Sequence, residues 1–293
     1  MNRHIALAAL ALLSTPALAA SETDQVARSD GSLIHYTLDR PIGEVSGLLL
    51  LSQGSGCRPG TQSPGLATVR AAFPTYAALI VEKAGIAPEM TVDELNCPAE
   101  FYDRYTVTQR IDDYQSVLSA LPAIPGRLIL FGGSEGGLAV AILSTRLDPD
   151  ATIIFSSATG TSFGEMVKST VPSEGHASID AGFAAARANP DSSELFAGHA
   201  YRFWADILDH RTLDYIGKAD TPFLLIQGGL DTSSPLAAAR VTADAFAAAG
   251  HCNLTYWEFP ALDHGMVDPR GNAHLADIAA LAAAWVEHPV RAC

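Results

Sequence analysis

Residues 132–136 read "GGSEG", one serine framed by glycines. A G-x-S-x-G pattern puts a serine hydroxyl on a sharp turn in which neighbouring side chains would collide. Crowding and strain around one serine are worth keeping when its hydroxyl must project as a nucleophile. A serine hydroxyl attacks only once a base takes its proton, and a histidine oriented by a carboxylate is suited to that task. Asp231, in "GGLD", and His264, in "LDHG", have the right types for the two supporting roles. Asp263 competes with Asp231, but it adjoins His264, and adjacent side chains usually point apart. With Ser134, then, the candidate set is Ser134, Asp231 and His264.

These residues need a frame that brings them together. Ser134 follows "RLIL" and precedes "LAVAIL", a buried strand and a buried helix by their continuous apolar character. Similar runs at 47–54, 76–83, 127–133, 151–157, 222–229 and 253–260 read as strands. The middle four are apolar throughout, as strands covered on both faces are. An earlier pair, around 26–29 and 33–39, is joined by "DGS" and reads as a hairpin. Helical periods lie between the strands. "VTQRIDDYQSVLSAL" sets Ile111, Tyr114, Leu118 and Leu121 on one face, and "AHLADIAALAAAWVEH" does the same with Leu275, Ile278, Leu281 and Trp285. "PLAAARVTADAFAAAG" starts at Pro235 and stops at Gly250. Alternating strands and helices predict a mostly parallel sheet with helices on both faces. Asp231 and His264 each come just after a strand, so they fall at the same C-terminal sheet edge as Ser134. The other histidines lie in the N-terminal leader, an early strand, the last helix, the stretch before the last strand, or the long segment after 157. That segment runs about 60 residues without a strand pattern and reads as a helical insertion at about 160–218.

On these motifs the chain resembles the α/β-hydrolase superfamily, most of all exported bacterial enzymes of the esterase and prolyl-oligopeptidase-like types. "GGSEGG", "QGSG", Asp231 in "GGLD" and His264 in "DHG" carry the resemblance, which covers residues 26–285. It implies an α/β-hydrolase fold: an eight-stranded, mostly parallel sheet, with the insertion as a lid. It also implies the chain order serine, acid, histidine, and transfer of an acyl group to water through an acyl-serine intermediate. The partner is then a small-molecule acyl substrate. Two backbone N–H groups should face the oxyanion. The candidates are Glu135, next after the serine, and Ser55, which Gly54 and Gly56 flank. Gln53 stands where related enzymes often carry histidine. Glu135 also departs from the aromatic, methionine or glutamine more common at its position. Its carboxylate either binds an amine-bearing substrate or is a helix N-terminal acid paired with Lys83. Phe203 and Trp204 are candidate substrate contacts in the lid, with the lid's own core as the other reading. A peptidase or amidase of the same fold and a non-catalytic binding protein are the alternatives. No cofactor is implied, since neither a dinucleotide fingerprint nor a phosphate-loop lysine is present, and no metal set stands out.

The sequence has 293 residues, 48 % of them hydrophobic, enough for a sizeable core. Residues 1–19 carry Arg3, an apolar run and a small-x-small ending, Ala17-Leu18-Ala19, which predicts a cleaved signal peptide and export. The domain proper is then 20–293. The formal charge is −14, and −15 without Arg3, which argues against nucleic acid and anionic membrane surfaces as partners. No later stretch is long enough to span a bilayer, and no pattern bears on oligomeric state. Cys57, Cys97, Cys252 and Cys293 have no C-x-x-C spacing, so export makes two disulfides the expectation. Cys57 and Cys97 lie in loops at the catalytic edge. Cys252 starts the last strand at the opposite edge, and the final helix returns there near Cys293. The expected pairs are therefore Cys57–Cys97 and Cys252–Cys293, because a disulfide cannot span the sheet.

Overall fold

A computed structural model of the chain describes residues 20–291. The expected leader at 1–19 and Cys293 lie outside the described residues. Strands β1 (Ala20–Ala27) and β2 (Leu33–Arg40) form an antiparallel hairpin. β2 then pairs antiparallel with β4 (Tyr76–Val81). The remaining pairings are parallel, through β3 (Gly47–Ser52), β5 (Arg127–Gly133), β6 (Ala151–Phe155), β9 (Phe223–Gly228) and β10 (Leu254–Phe259). The sheet order is β1-β2-β4-β3-β5-β6-β9-β10, eight strands as expected.

β3, β6 and β9 are buried at every position, because helices cover both faces of the sheet's centre. On one face α1 (Pro64–Ala71) and α10 (Leu275–Glu287) pack over Leu49, Leu51, Ile129, Phe131 and Ile226. On the other, α3 (Val107–Ala120), α4 (Glu135–Leu147) and α9 (Leu236–Ala249) cover Leu50, Leu130, Ile154 and Leu225. Local chemistry sets the helix ends. Thr106 caps α3 by accepting from the Gln109 N–H at 3.0 Å. Gly250 ends α9 at φ 68°, a left-handed position. The short α1 and α2 (Ala99–Arg104) hold too few turns to betray a helical period in sequence.

Two elements differ from expectation. β1 runs from Ala20 to Ala27 rather than around 26–29. It is an edge strand whose residues Ser21, Glu22, Thr23 and Asp24 are exposed, so no apolar alternation marks it. The insertion is helical, with α5 (Phe163–Ser169), α6 (His176–Ala188), α7 (Tyr201–Ile207) and α8 (Leu213–Ile216), but it also contains a small hairpin. Its strands β7 (Leu195–Phe196) and β8 (His199–Ala200) turn through Ala197 and Gly198, both at positive φ. Two-residue strands are too short to read from a pattern. The insertion joins β6 to β9 and packs against α3 and α4, its Phe203, Trp204 and Ile207 sharing one core with Ile111, Tyr114 and Leu138. Among the described residues, no helix is long and apolar enough to cross a membrane.

Candidate active site

Ser134 joins β5 to α4 with φ 53° and ψ −124°, a backbone state that a non-glycine residue keeps only under constraint. Two hydrogen bonds supply it: Ser134 N–H donates to Phe155 O at 2.8 Å, and Gly137 N–H donates to Ser134 O at 2.9 Å. The need for glycine is steric at two positions. A Cβ on Gly132 would meet Gly136 O at 2.1 Å, and one on Gly136 would meet Ser52 O at 2.2 Å. Strand and helix therefore approach each other closely enough to force the serine outward.

His264 lies in the loop after β10, and its Nδ1–H donates to Asp231 Oδ2 at 2.9 Å. Asp231 follows β9 with its side chain fully buried. Its Oδ1 accepts from the N–H groups of Ser233 and Ser234 at 2.9 and 2.8 Å, and its Oδ2 from Gln227 Nε2 at 3.0 Å. Asp263 is used otherwise. Its Oδ1 accepts from the N–H groups of Gly265 and Val267, both at 2.9 Å, and builds the turn that carries His264. Ser156 Oγ donates to His264 O at 2.9 Å and ties that turn to the end of β6. With Nδ1–H given to a carboxylate, the ring leaves Nε2 as an acceptor. Ser134 and His264 open on one cavity of about 280 Å³, whose apolar walls include Leu66, Val69, Phe131 and Leu275. On the insertion side of Ser134, between Phe163, Met166 and His210, the space shrinks to about 10 Å³. A larger groove of about 560 Å³ lies elsewhere, lined by Arg28, Glu100, Asp103, Arg104, Gln109 and Arg202. It holds no nucleophile, and its Arg28 and Arg104 already pair with Asp113 and Asp30.

Ser55 sits exposed in the loop after β3. Its N–H has no acceptor among the described residues. The Glu135 N–H lies in the first turn of α4, where N–H groups have no partner within the helix. The Glu135 side chain points away from the cavity and is fully buried. It pairs with Lys83 at 3.6 Å and Arg110 at 3.2 Å, and accepts from the Tyr105 hydroxyl. Burial raises its carboxyl pKa, but the Lys83 and Arg110 charges outweigh burial and hold it at about 2. Burial pushes the Lys83 ammonium down to about 7 against the pull of Glu135. Of the two readings of Glu135, this geometry leaves the pairing with Lys83, because a substrate amine cannot reach a carboxylate with no exposed surface.

The structure does not bring Phe203 and Trp204 to the cavity. Both are buried, in an aromatic cluster with Phe163, Phe183, Phe196 and His199. Leu66, Val69 and Leu275 stand at the cavity instead, although the sequence presents Leu275 as an ordinary core position of α10. The roles of Lys83 and Arg110 at the loop have a sequence signal only for Lys83, a charge at the end of the apolar run 76–81; Arg110 stands among polar residues of α3 and carries none. Cys57 and Cys97 are joined, with Cα atoms 5.8 Å apart. The expected Cys252–Cys293 pair involves a residue outside the described ones. Among the described residues no cluster of three metal-ligating side chains occurs.

No protein-family model matches the chain, and no curated protein matches its sequence. Solved structures do match. The esterase Est1E from Butyrivibrio proteoclasticus superposes with a TM-score of 0.64 at 15 % identity, covering 93 % of this chain and 99 % of its own. A lidless α/β serine hydrolase from Xanthomonas campestris gives 0.52 at 13 % identity, with 92 % and 94 % covered. The acylaminoacyl peptidase of Pyrococcus horikoshii gives 0.57 at 14 % identity, covering 94 % of this chain and 42 % of the peptidase. At such identities the likeness speaks to architecture: the chain has the α/β-hydrolase fold.

Proposed function

We propose that the protein is an exported serine hydrolase that cleaves carboxylic esters with apolar acyl groups. The observation that carries this reading is the convergence of three groups. Ser134, at positive φ, opens on the same cavity as His264, and His264 donates to the buried Asp231. Ser134 Oγ attacks the ester carbonyl carbon while His264 Nε2 takes the hydroxyl proton. The Asp231 carboxylate keeps the ring in the tautomer that leaves Nε2 free and stabilises the imidazolium that forms. The carbonyl oxygen becomes an oxyanion facing the N–H groups of Ser55 and Glu135. The C–O bond to the alcohol then breaks, and His264 returns the proton to the departing oxygen. A water molecule attacks the acyl-serine by the same steps and releases the acid.

The cavity favours esters with an apolar arm. Leu66, Val69, Phe131, Phe155 and Leu275 give it apolar walls beside a few uncharged serine and glutamine groups, and His264 is the one titratable side chain among its lining residues. An aminoacyl substrate would bring a charged amine to a surface with no carboxylate to receive it, which disfavours cleavage of aminoacyl amides within the peptidase or amidase alternative. A fluorophosphonate probe tests the nucleophile and p-nitrophenyl esters beside aminoacyl anilides test the bond cleaved. Labelling at Ser134 with turnover of the esters is the expected result. Absence of labelling in folded protein, or turnover of the anilides alone, would overturn the reading.

A further inference from the structure

We infer that Lys83 is a positioning residue that aims the oxyanion donors, because its one ammonium grips both the backbone around Ser55 and the side chain of Glu135. The inference rests on the hydrolase reading above and concerns how its oxyanion site is held.

Lys83 lies two residues past β4, with its side chain fully buried. Its Nζ donates to Gly54 O and to Gly56 O, each at 2.7 Å. Gly54 C=O belongs to the same peptide unit as Ser55 N–H. In a trans peptide the two point in opposite directions. A carbonyl drawn toward Lys83 therefore turns the Ser55 N–H away from it. Next door, Arg110 Nη2 donates to Gln53 O at 2.8 Å, so the preceding peptide is gripped as well. The same Lys83 ammonium reaches Glu135 Oε1 at 3.6 Å, and Glu135 supplies the other donor through its N–H. Arg110 closes the loop of contacts with Glu135 at 3.2 Å. The two donors come from different elements, the loop after β3 and the start of α4, and meet through this one buried charge cluster.

A buried ammonium is an expensive way to fill space. It must be desolvated, and apolar side chains of similar volume often stabilise a core as well or better. The chain nevertheless buries Lys83, Arg110, Glu135 and Glu82 together at the catalytic end of the sheet. Glu82 serves the same loop from the other side, accepting from Gly60 N–H at 2.6 Å and Thr61 N–H at 3.2 Å. Three of these four charges, Lys83, Arg110 and Glu82, end on one loop, and a need to fix that loop explains their burial. Oxyanion donors act through preorganisation, so small errors in their direction are costly in rate.

The decisive variants are Lys83→Met and Lys83→Met/Glu135→Gln, the second leaving Arg110 and Glu82 as a balanced pair. Circular dichroism and thermal melting identify which of them folds. On the folded variant, kcat for a p-nitrophenyl ester should fall about 10²–10³-fold with KM changed by no more than about threefold. Affinity for a trifluoromethyl ketone, which forms an oxyanion on Ser134, should fall in parallel with kcat. A role in packing alone would lower the melting temperature and leave ketone affinity and kcat where they were. A folded variant with wild-type kcat and wild-type ketone affinity overturns the inference. That result differs from failure of the hydrolase reading, in which the wild-type protein itself neither labels at Ser134 nor turns over esters.

Discussion

At Ser134 a φ of 53° is held by two backbone hydrogen bonds and by the approach of Gly136 to Ser52. Such strain is worth about 1–3 kcal/mol and persists where surrounding structure overdetermines it. Ser134→Ala should keep the fold, lose fluorophosphonate labelling, and retain only the roughly 10³–10⁴-fold acceleration that binding and oxyanion donors give. The two neighbouring aspartates separate by what their oxygens accept. Asp231→Asn should lower kcat by about 10⁴-fold, because an amide favours the wrong tautomer of His264. Asp263→Asn should act mainly on melting temperature, since Asp263 accepts from Gly265 and Val267 N–H groups in the turn. Steady-state kinetics beside thermal melts checks the ranking, and the reverse order would show Asp263 to be the catalytic acid. Glu135 makes a prediction about pH. Its folded carboxyl titrates at about 2, below the ordinary 4.5. A depressed carboxyl pKa stabilises the fold above the ordinary value and loses that contribution as pH falls through the folded one. The melting-temperature gap between wild type and Glu135→Gln should thus be full above about pH 4.5 and shrink toward pH 2.

Among the elements, α1 and α10 form the cavity and the insertion closes the other side of the serine. That division follows from packing. Phe203 and Trp204 are drawn into the shared core with α3 and α4, which leaves the insertion few apolar groups to offer a substrate. Trp204→Ala should therefore cost about 3–5 kcal/mol of stability while chain-length preference among p-nitrophenyl esters holds. Leu275→Ala should do the opposite. It widens the cavity at the start of α10, where Leu275 packs beside Gly65 of α1, and should shift the preferred acyl chain upward by about one or more carbons. A preference that follows Trp204 and ignores Leu275 would return the acyl arm to the insertion.

For the whole molecule, the Cys57–Cys97 bond links two long loops at the catalytic edge across 40 residues of sequence. Arg58 and Glu94 pair beside it. Restricting the unfolded chain in this way stabilises by about 2–4 kcal/mol. Cys57 is two residues from Ser55, so the bond also limits how far the loop gripped by Lys83 can move. A Cys57→Ala/Cys97→Ala chain should melt several degrees lower and lose activity below its melting midpoint. Unchanged melting would show that the bond does not constrain the fold. Non-reducing peptide mapping of the purified protein tests both expected pairs, and a peptide joining Cys57 to Cys252 or Cys293 would refute the edge-by-edge assignment.

The order of strands and helices was legible in the sequence because a sheet buried on both faces demands apolar runs such as "LLLL" and "TIIF" at regular intervals. The turn at Ser134 was legible for a related reason: Gly132 and Gly136 are required by contact, and contact of that kind leaves glycine as its mark. Strand ends in turn assigned Asp231 and His264 to one edge. The N-terminal hairpin was legible, but the extent of β1 and the β7–β8 hairpin were hidden because an edge strand and two-residue strands bury too little to impose a pattern. The rest waited on tertiary structure. Adjacency to His264 argues against Asp263 in the sequence, but the hydrogen bonds around each aspartate are what place Asp231 on the ring and Asp263 in the turn. Glu135 and Lys83 are 52 positions apart in the chain, and their pairing depends on how β4, the loop after β3 and α4 converge. Phe203, Trp204 and Leu275 are all apolar residues at helical spacing. Whether such a residue meets a substrate or a neighbouring helix is decided by which way its face is turned, and a one-dimensional pattern fixes the face but not what stands opposite it.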